Sequence, residues 1–346
     1  MKKQLEIGII GLGAMGPSHA KTCASLPDVH LKAISDISPE RLKTVAADLN
    51  VQEQYQDGFE MIEKANLDAV IIALPNHLHA KFSIKALQNG LHVLVEKPIA
   101  TNVAEAEAII KASCEANKTL MINFNQRFKP LHLAARDIIA TGKLGEIYYA
   151  KTKWLRRKGI PWWYEAGGKG ALSTEIAGGG PLIDLGIHQL DLALSMMGFP
   201  EVVSVDGTTF YGLGKKQGEL KKINYALEDA GVALIRFKNN QMLFLEASWT
   251  MHCKNKDVQE TILYGDKGGM RLADTVEIYF EQDGIQMDST ITKYDGAKEG
   301  DLVGHFCRVV QGKETQIISG EQALLGLRIL KAVYESAKTG KTVYFD

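Results

Sequence analysis

The sequence predicts a two-part α/β protein: a doubly wound parallel sheet first, then an α+β part with a large, mostly antiparallel open sheet. Three observations predict it. The first third alternates short apolar runs with helix-like segments, the pattern of successive βαβ units. The first of those runs ends in a glycine cluster, Gly11-x-Gly13-x-x-Gly16. From Glu201 to Thr292 the helical period gives way to alternating runs separated by Gly, Asn and Asp turns. The predicted division is 1–123 for the parallel part and 124–346 for the rest.

The strand-like runs of the first part are Leu5–Ile10, His30–Ser35, Ala69–Ala73, His92–Val95 and Leu120–Asn123. Between them, helices are predicted over Met15–Leu26, where Pro17 suits a first turn, and over Pro39–Leu49, Asp57–Ala65, Leu78–Asn89 and Asn102–Asn117. Asp57 and Asn102 are N-cap residues by type, and Gly90 is a C-terminal stop. After Phe124 the pattern changes. Lys129–Thr141 reads as a helix, Glu146–Trp154 as a strand, Arg156–Gly180 as an irregular aromatic and glycine-rich stretch, and Pro181–Met197 as an amphipathic helix. The runs Gly231–Phe237, Gln241–Met251 and Gln259–Gly265 read as antiparallel strands with one free face, and Lys238-Asn239-Asn240 as a hairpin turn. Phe244, Leu245 and Trp249 are expected on the free face, as a dimer surface. Helices over Leu302–Val310 and Glu321–Lys338 close the chain.

At 346 residues and a net charge of −1, the chain holds enough residues for two substantial cores and lacks the basic tract that grips nucleic acid. No apolar run approaches the roughly 20 residues a membrane span needs. The N-terminus enters a strand directly and lacks the apolar region and cleavage site of a signal peptide. The four cysteines, Cys23, Cys114, Cys253 and Cys307, form no C-x-x-C pair. Three of them are read as core thiols, and the set fits a reduced cytoplasm.

Each glycine of the cluster has a physical use. Gly11 permits a tight turn, Gly13 lets the backbone approach a pyrophosphate, and Gly16 lets the following helix pack closely on the strand. The free N–H groups of that helix then face an anion. The next apolar run ends in Asp36, 20 residues beyond Gly16. A carboxylate there accepts hydrogen bonds from ribose hydroxyls and repels a 2′-phosphate, which predicts a dinucleotide site and favours NAD over NADP. The competing reading is an ordinary glycine turn, with Asp36 capping the helix near Pro39.

The run His92–Val95 leads into Glu96-Lys97-Pro98, at the carboxyl end of a strand, where open parallel sheets bind ligands. A partly buried Lys97 there stabilises negative charge on a substrate oxygen; otherwise it is a surface lysine paired with Glu96. A second cluster follows the triple glycine Gly178-Gly179-Gly180: on a helix Asp184, His188 and Asp191 stand at i, i+4 and i+7 among apolar neighbours. Buried polar groups must be partnered or put to use, and histidine is the natural proton acceptor near neutral pH. The competing reading is a capped helix with a satisfied core histidine. Asp184 and His188 are also two ligands of metal-binding type, but a third is missing nearby, so no metal is expected. His77 and His79 lie in a loop that flanks a cofactor rather than in a metal pair. Arg127 either reaches the site or pairs with a carboxylate. Trp154, Arg156, Arg157, Lys158 and Trp162–Tyr164 supply the aromatic faces and charged donors that a sugar ring uses, or else an interface.

Taken together, GLGAMG, Asp36, ALPNHLHAKFSIKALQNGLHVLVEKPIA and GGGPLIDLGIHQLDLALSMMG resemble the glucose–fructose oxidoreductase/inositol dehydrogenase/MocA family, with matching order and spacing along nearly the whole chain. The ending SGEQALLGLRILKAVYESAKTGKTV is similar as well. The resemblance implies an N-terminal Rossmann dinucleotide-binding domain and a C-terminal substrate and oligomerisation domain. It implies hydride transfer between NAD(P) and a sugar, inositol or related polyol, with no essential metal, in a homodimer or homotetramer joined through the C-terminal sheet. Carried onto this chain, it makes Lys97, Asp184 and His188 catalytic. Cofactor contacts fall on Gly11, Gly13, Ala14, Met15, Gly16, Asp36, Leu74, Pro75, Asn76, His79, Glu96, Lys97 and Arg127. Substrate contacts fall on Lys97, Trp154, Arg156, Trp162, Asp184 and His188. Two alternatives stand beside a dehydrogenase: an NAD-requiring glycoside hydrolase without net redox change, and a sensor that binds without turnover. A sensor has no need of a base.

Overall fold

The computed structural model describes residues 4–157, 173–221, 225–294 and 301–345. The chain forms two compact units: Met1–Phe124 with Asp301–Leu324, and Asn125–Gly300 with Leu325–Asp346.

The first unit is built on six strands: β1 (Leu5–Ile10), β2 (Val29–Ser35), β3 (Glu53–Tyr55), β4 (Ala69–Ile72), β5 (His92–Val95) and β6 (Leu120–Ile122). All pair in parallel, in the order β3-β2-β1-β4-β5-β6. The order reverses between β1 and β4, the switch point where such sheets take ligands. β4 is buried at every position, and β1 has Ile7, Ile9 and Ile10 at its centre, as expected of strands covered on both faces. The helices α1 (Gly16–Ser25), α2 (Pro39–Leu49), α3 (Gly58–Lys64), α4 (His79–Gln88) and α5 (Val103–Ala116) connect them. Asp57 caps α3 by accepting the Phe59 N–H, and Asn102 caps α5 by accepting that of Glu105. Three-residue β3 has too short a pattern to read from sequence.

A linear split at 123/124 differs from these units, because Asp301–Leu324 groups with the first. Gln311 Nε2 donates to Asp28 O (2.9 Å) and Gln316 Nε2 to Leu120 O (2.7 Å). The apolar face of the helix Leu302–Val310 is buried through Phe306 and Cys307. A terminal amphipathic helix carries no local signal of which sheet it will cover.

The second unit contains a nine-stranded sheet in the order β14-β13-β12-β11-β7-β10-β9-β8-β15. Its strands are β7 (Ile147–Arg156), β8 (Val202–Phe210), β9 (Ala230–Phe237), β10 (Met242–Ser248), β11 (Asp257–Gly265), β12 (Gly268–Leu272), β13 (Val276–Gln282), β14 (Ile285–Ile291) and β15 (Val343–Tyr344). Among the described residues of this sheet only β7 and β10 pair in parallel. Asn239 and Asn240 take left-handed conformations in the β9–β10 turn, as the sequence predicts. The helix α6 (Pro130–Ala140) precedes the sheet.

Three expectations need correction. Leu245 and Trp249 are fully buried within the chain, so the free face is lined instead by their alternates Val232, Leu234, Phe244 and Ile262. The Pro181–Met197 helix is not amphipathic. It is a π-turn over Leu182–Gly186 running into α7 (Ile187–Met196), buried at every position but Ser195. A helix enclosed all round needs no polar stripe, so its period is misleading. Two cysteines are buried, Cys23 and Cys307, rather than three. No described helix is long and apolar enough to cross a membrane.

Candidate active site

The turn after β1 displays the three glycine roles separately. Gly11 has φ +93°, and a Cβ there would lie 2.4 Å from Ala73 O. A Cβ on Gly16 would stand 1.9 Å from Gly11 O, so α1 can start this close to the strand only with glycine. At Gly13 a Cβ would meet nothing within 4 Å. That open, exposed stretch, Gly13 to Met15, is what a pyrophosphate needs for backbone approach at a helix start, so the residues present fit the group.

Asp36, at the end of β2, is buried. Its Oδ2 accepts the Leu12 N–H at 2.7 Å, which ties it to the glycine turn. Its Oδ1 accepts the Ser38 N–H (2.8 Å) and Arg41 Nε–H (3.0 Å). The cap of α2 is Ser38, not Asp36: the Ser38 hydroxyl accepts the Arg41 N–H.

After β4, Leu74, Pro75 and Asn76 form the loop leading into α4. His79 is fully buried, with Nδ1 2.7 Å from Pro98 O and Nε2 2.8 Å from Leu74 O. It therefore bridges the loops after β4 and β5, and burial lowers its pKa. Glu96 is engaged by His19 Nε2 (2.7 Å) and by the Asn123 amide (2.7 Å). Burial pushes its carboxyl up, but His19, Asn123 and Lys97 together hold it below its ordinary value. Lys97 follows, half-buried at the strand end before a cis peptide to Pro98.

In the second unit, Asp184, Gln189 and Asp191 of the buried π-turn and α7 are each hydrogen-bonded to another side chain. Asp184 Oδ2 accepts the Trp249 Nε1–H at 2.9 Å. The His188 ring packs against Trp154, with centroids 5.8 Å apart. Gln189 Oε1 accepts the hydroxyls of Thr152 (3.0 Å) and Thr261 (3.2 Å), pinning α7 to β7 and β11. Asp191 accepts two bonds from Arg127, from Nε at 2.7 Å to Oδ2 and from the guanidinium terminus to Oδ1. Burial raises the Asp191 pKa against the opposing charge of Arg127. Of the two sequence readings of Arg127, carboxylate pairing is the one observed, and its guanidinium also stacks over Phe199.

Trp154 and Arg156 come together at Asp257, which accepts Trp154 Nε1–H (2.9 Å) and Arg156 Nε–H (3.2 Å). Trp162 lies outside the described residues, as do Lys158, Trp163 and Tyr164. Among the described residues no group of three metal-ligating side chains gathers. Sequence reasoning missed Trp249 and Gln189 as partners of this segment, and Glu228 beneath it. Only Glu228 left a signal: two acidic residues, Glu228-Asp229, at the mouth of an apolar strand.

Residues 5–124 match the model of an oxidoreductase family with an NAD-binding Rossmann fold. Residues 132–271 match the GFO/IDH/MocA C-terminal domain. The chain is 31% identical to D-glucoside 3-dehydrogenase of Escherichia coli, over 98% of this chain and 97% of that protein. It is 25% identical to myo-inositol 2-dehydrogenase of Thermotoga maritima, over 99% of each. The crystal structure of an oxidoreductase domain protein from Kribbella flavida superposes with a TM-score of 0.85 at 23% identity, covering 99% of this chain and 100% of that one.

Proposed function

This chain belongs to the GFO/IDH/MocA oxidoreductase family, and from that premise we propose that it is an NAD-dependent dehydrogenase of a secondary hydroxyl on a sugar, glycoside or cyclitol. The observation that carries the reading is the glycine turn tied through Leu12 to a buried Asp36, together with a buried helix start bearing Asp184 and His188. The dinucleotide would be held by Gly11, Gly13, Ala14, Met15, Gly16 and Asp36, with Leu74, Pro75, Asn76 and Glu96 flanking it. It supplies the hydride acceptor.

The remaining work falls to the chain's own residues. His188 accepts the proton of the reacting hydroxyl, which raises electron density on the carbinol carbon. By the family resemblance Lys97 stabilises negative charge developing on the substrate oxygen. Asp184, steadied by Trp249, orients the base or a neighbouring hydroxyl. Trp154 offers an apolar ring face beside His188, suited to the C–H face of a sugar. His79 ties two loops together through the Leu74 and Pro98 carbonyls, and Arg127 fastens α7 through Asp191. Asp36 favours NAD over NADP. The half-exposed sheet face with Val232, Leu234, Phe244 and Ile262 supports self-association, and the cysteine pattern supports a cytoplasmic setting.

The test is to incubate the protein with NAD or NADP against methyl glucosides, disaccharides, inositols and aldoses while following nicotinamide absorbance. NADH formation with a glycoside or cyclitol, and weaker NADPH formation, is expected. Sugar release without net NADH would replace the dehydrogenase with the glycoside hydrolase. Binding without turnover across the panel would overturn both.

A further inference from the structure

The triple glycine ahead of the π-turn packs against a buried carboxylate that the reaction itself does not use. Glu228, 1% exposed, precedes β9. Both its oxygens accept the Gly180 N–H, at 3.0 and 2.9 Å, and Oε1 also accepts the Leu182 N–H at 3.3 Å. The Tyr334 hydroxyl donates to the same Oε1 at 2.7 Å. These backbone N–H groups open a π-turn and have no carbonyl of their own segment to bond. The glycines are what let the partners in. A Cβ on Gly179 would lie 2.1 Å from the Tyr334 hydroxyl, and one on Gly180 would lie 2.7 Å from Glu228 O and 2.8 Å from its carboxyl carbon. Lys331 fastens the preceding carbonyl, donating to Gly178 O at 2.9 Å. The glycines, the acid and the tyrosine therefore form one clamp on the backbone that leads into Asp184 and His188. π-turns are uncommon and concentrate at functional sites, where they re-aim side chains.

We propose that Glu228, steadied by Tyr334, is a positioning residue whose carboxylate holds the Gly180–Leu182 backbone so that the π-turn aims Asp184 and His188 at the substrate. The proposal rests on the reading of His188 as the base. Among the described residues the Glu228 carboxylate meets only donors, and its second oxygen also faces the Gly180 N–H, which suits an acceptor-only side chain. Glu228→Gln keeps the volume but turns an N–H donor toward the Gly180 N–H. Tyr334→Phe removes one donor and leaves the ring.

The protein, its Glu228→Gln and Tyr334→Phe variants, the double variant and His188→Asn are compared in turnover and NAD binding. The pH profile of kcat/KM and amide exchange at Gly180 and Leu182 are measured on the same five proteins. Glu228→Gln is expected to lower kcat about 10- to 100-fold, the scale of a displacement near 1 Å. Its Kd for NAD should stay unchanged, its pH profile should move, and amides 180 and 182 should exchange faster. Tyr334→Phe should move the same readouts in the same direction by less, and the double variant should lose less than the product of the two. Folded Glu228→Gln with wild-type kcat, pH profile and amide exchange overturns the proposal. If Glu228→Gln does not fold, wild-type values in Tyr334→Phe overturn it. His188→Asn inactive beside a fully active Glu228→Gln rejects the clamp alone, whereas wild-type turnover in His188→Asn rejects the reading on which it rests.

Discussion

In the proposed reaction His188 is the proton acceptor and Lys97 supports negative charge on the substrate oxygen. His188→Asn and Lys97→Ala should each cut kcat/KM by about 100-fold or more while NAD still binds, measured by steady-state turnover and cofactor titration. Near wild-type turnover in either variant removes that residue from the mechanism. Around these two, residues of similar type divide by their partners. His79 and Arg127 are buried like His188, with His79 bonded to loop carbonyls and Arg127 to Asp191. A sequence shows residue type and spacing, and partner identity is what separates a base from a brace.

At the scale of elements, the turn from β1 to α1 makes two opposite forecasts from one motif. Gly16→Ala drives a methyl into Gly11 O and should destabilise the fold by about 1–3 kcal/mol in a thermal or denaturant melt. Gly13→Ala meets open space and should stay within about 0.5 kcal/mol of wild type. Its added methyl should nevertheless weaken NAD binding by roughly 10-fold, because it stands where the backbone must approach the pyrophosphate. Equal stability loss in both variants would mean that the turn is a packing device only. The π-turn before α7 is the element least visible beforehand. The spacing Asp184-x-x-x-His188 fits a straight helix, whereas the observed first turn is wider and its leading N–H groups bond to Glu228.

For the whole molecule, pH and association supply the tests. Burial presses the His132 pKa from about 6.5 down to about 4, its Nδ1 lying 2.7 Å from Gln126 O. Above the unfolded value both states hold a neutral ring and nothing is lost. As pH falls from 6.5 to 4 the unfolded chain takes up a proton that the folded one refuses, so stability drops by about 3 kcal/mol over that window. His132→Asn, which keeps a donor for the Gln126 carbonyl, should remove about that share of the slope in melts taken at successive pH values. An unchanged slope would place the acid sensitivity elsewhere. The open sheet face should make the protein a dimer or tetramer by light scattering at micromolar concentration, and Phe244→Glu should shift it to smaller species. A wild-type monomer refutes the interface.

The features legible in the linear chain are local and periodic. The βαβ alternation, the glycine turn, the caps Asp57 and Asn102 and the Asn239-Asn240 hairpin each arise from a few neighbouring residues whose backbone preferences need no distant help. The spacing of Gly16 to Asp36 also belongs here, because one crossover of set length joins them. Tertiary structure decided whatever depends on a partner far along the chain. Trp249 meets Asp184 across 65 residues and Tyr334 meets Glu228 across 106, Leu245 and Trp249 turn inward rather than outward, and Asp301–Leu324 joins the first unit. The physical reason is that buried polar groups take whichever partner the folded chain brings within hydrogen-bond reach, and alternation along a strand says that two faces differ without saying which will be covered.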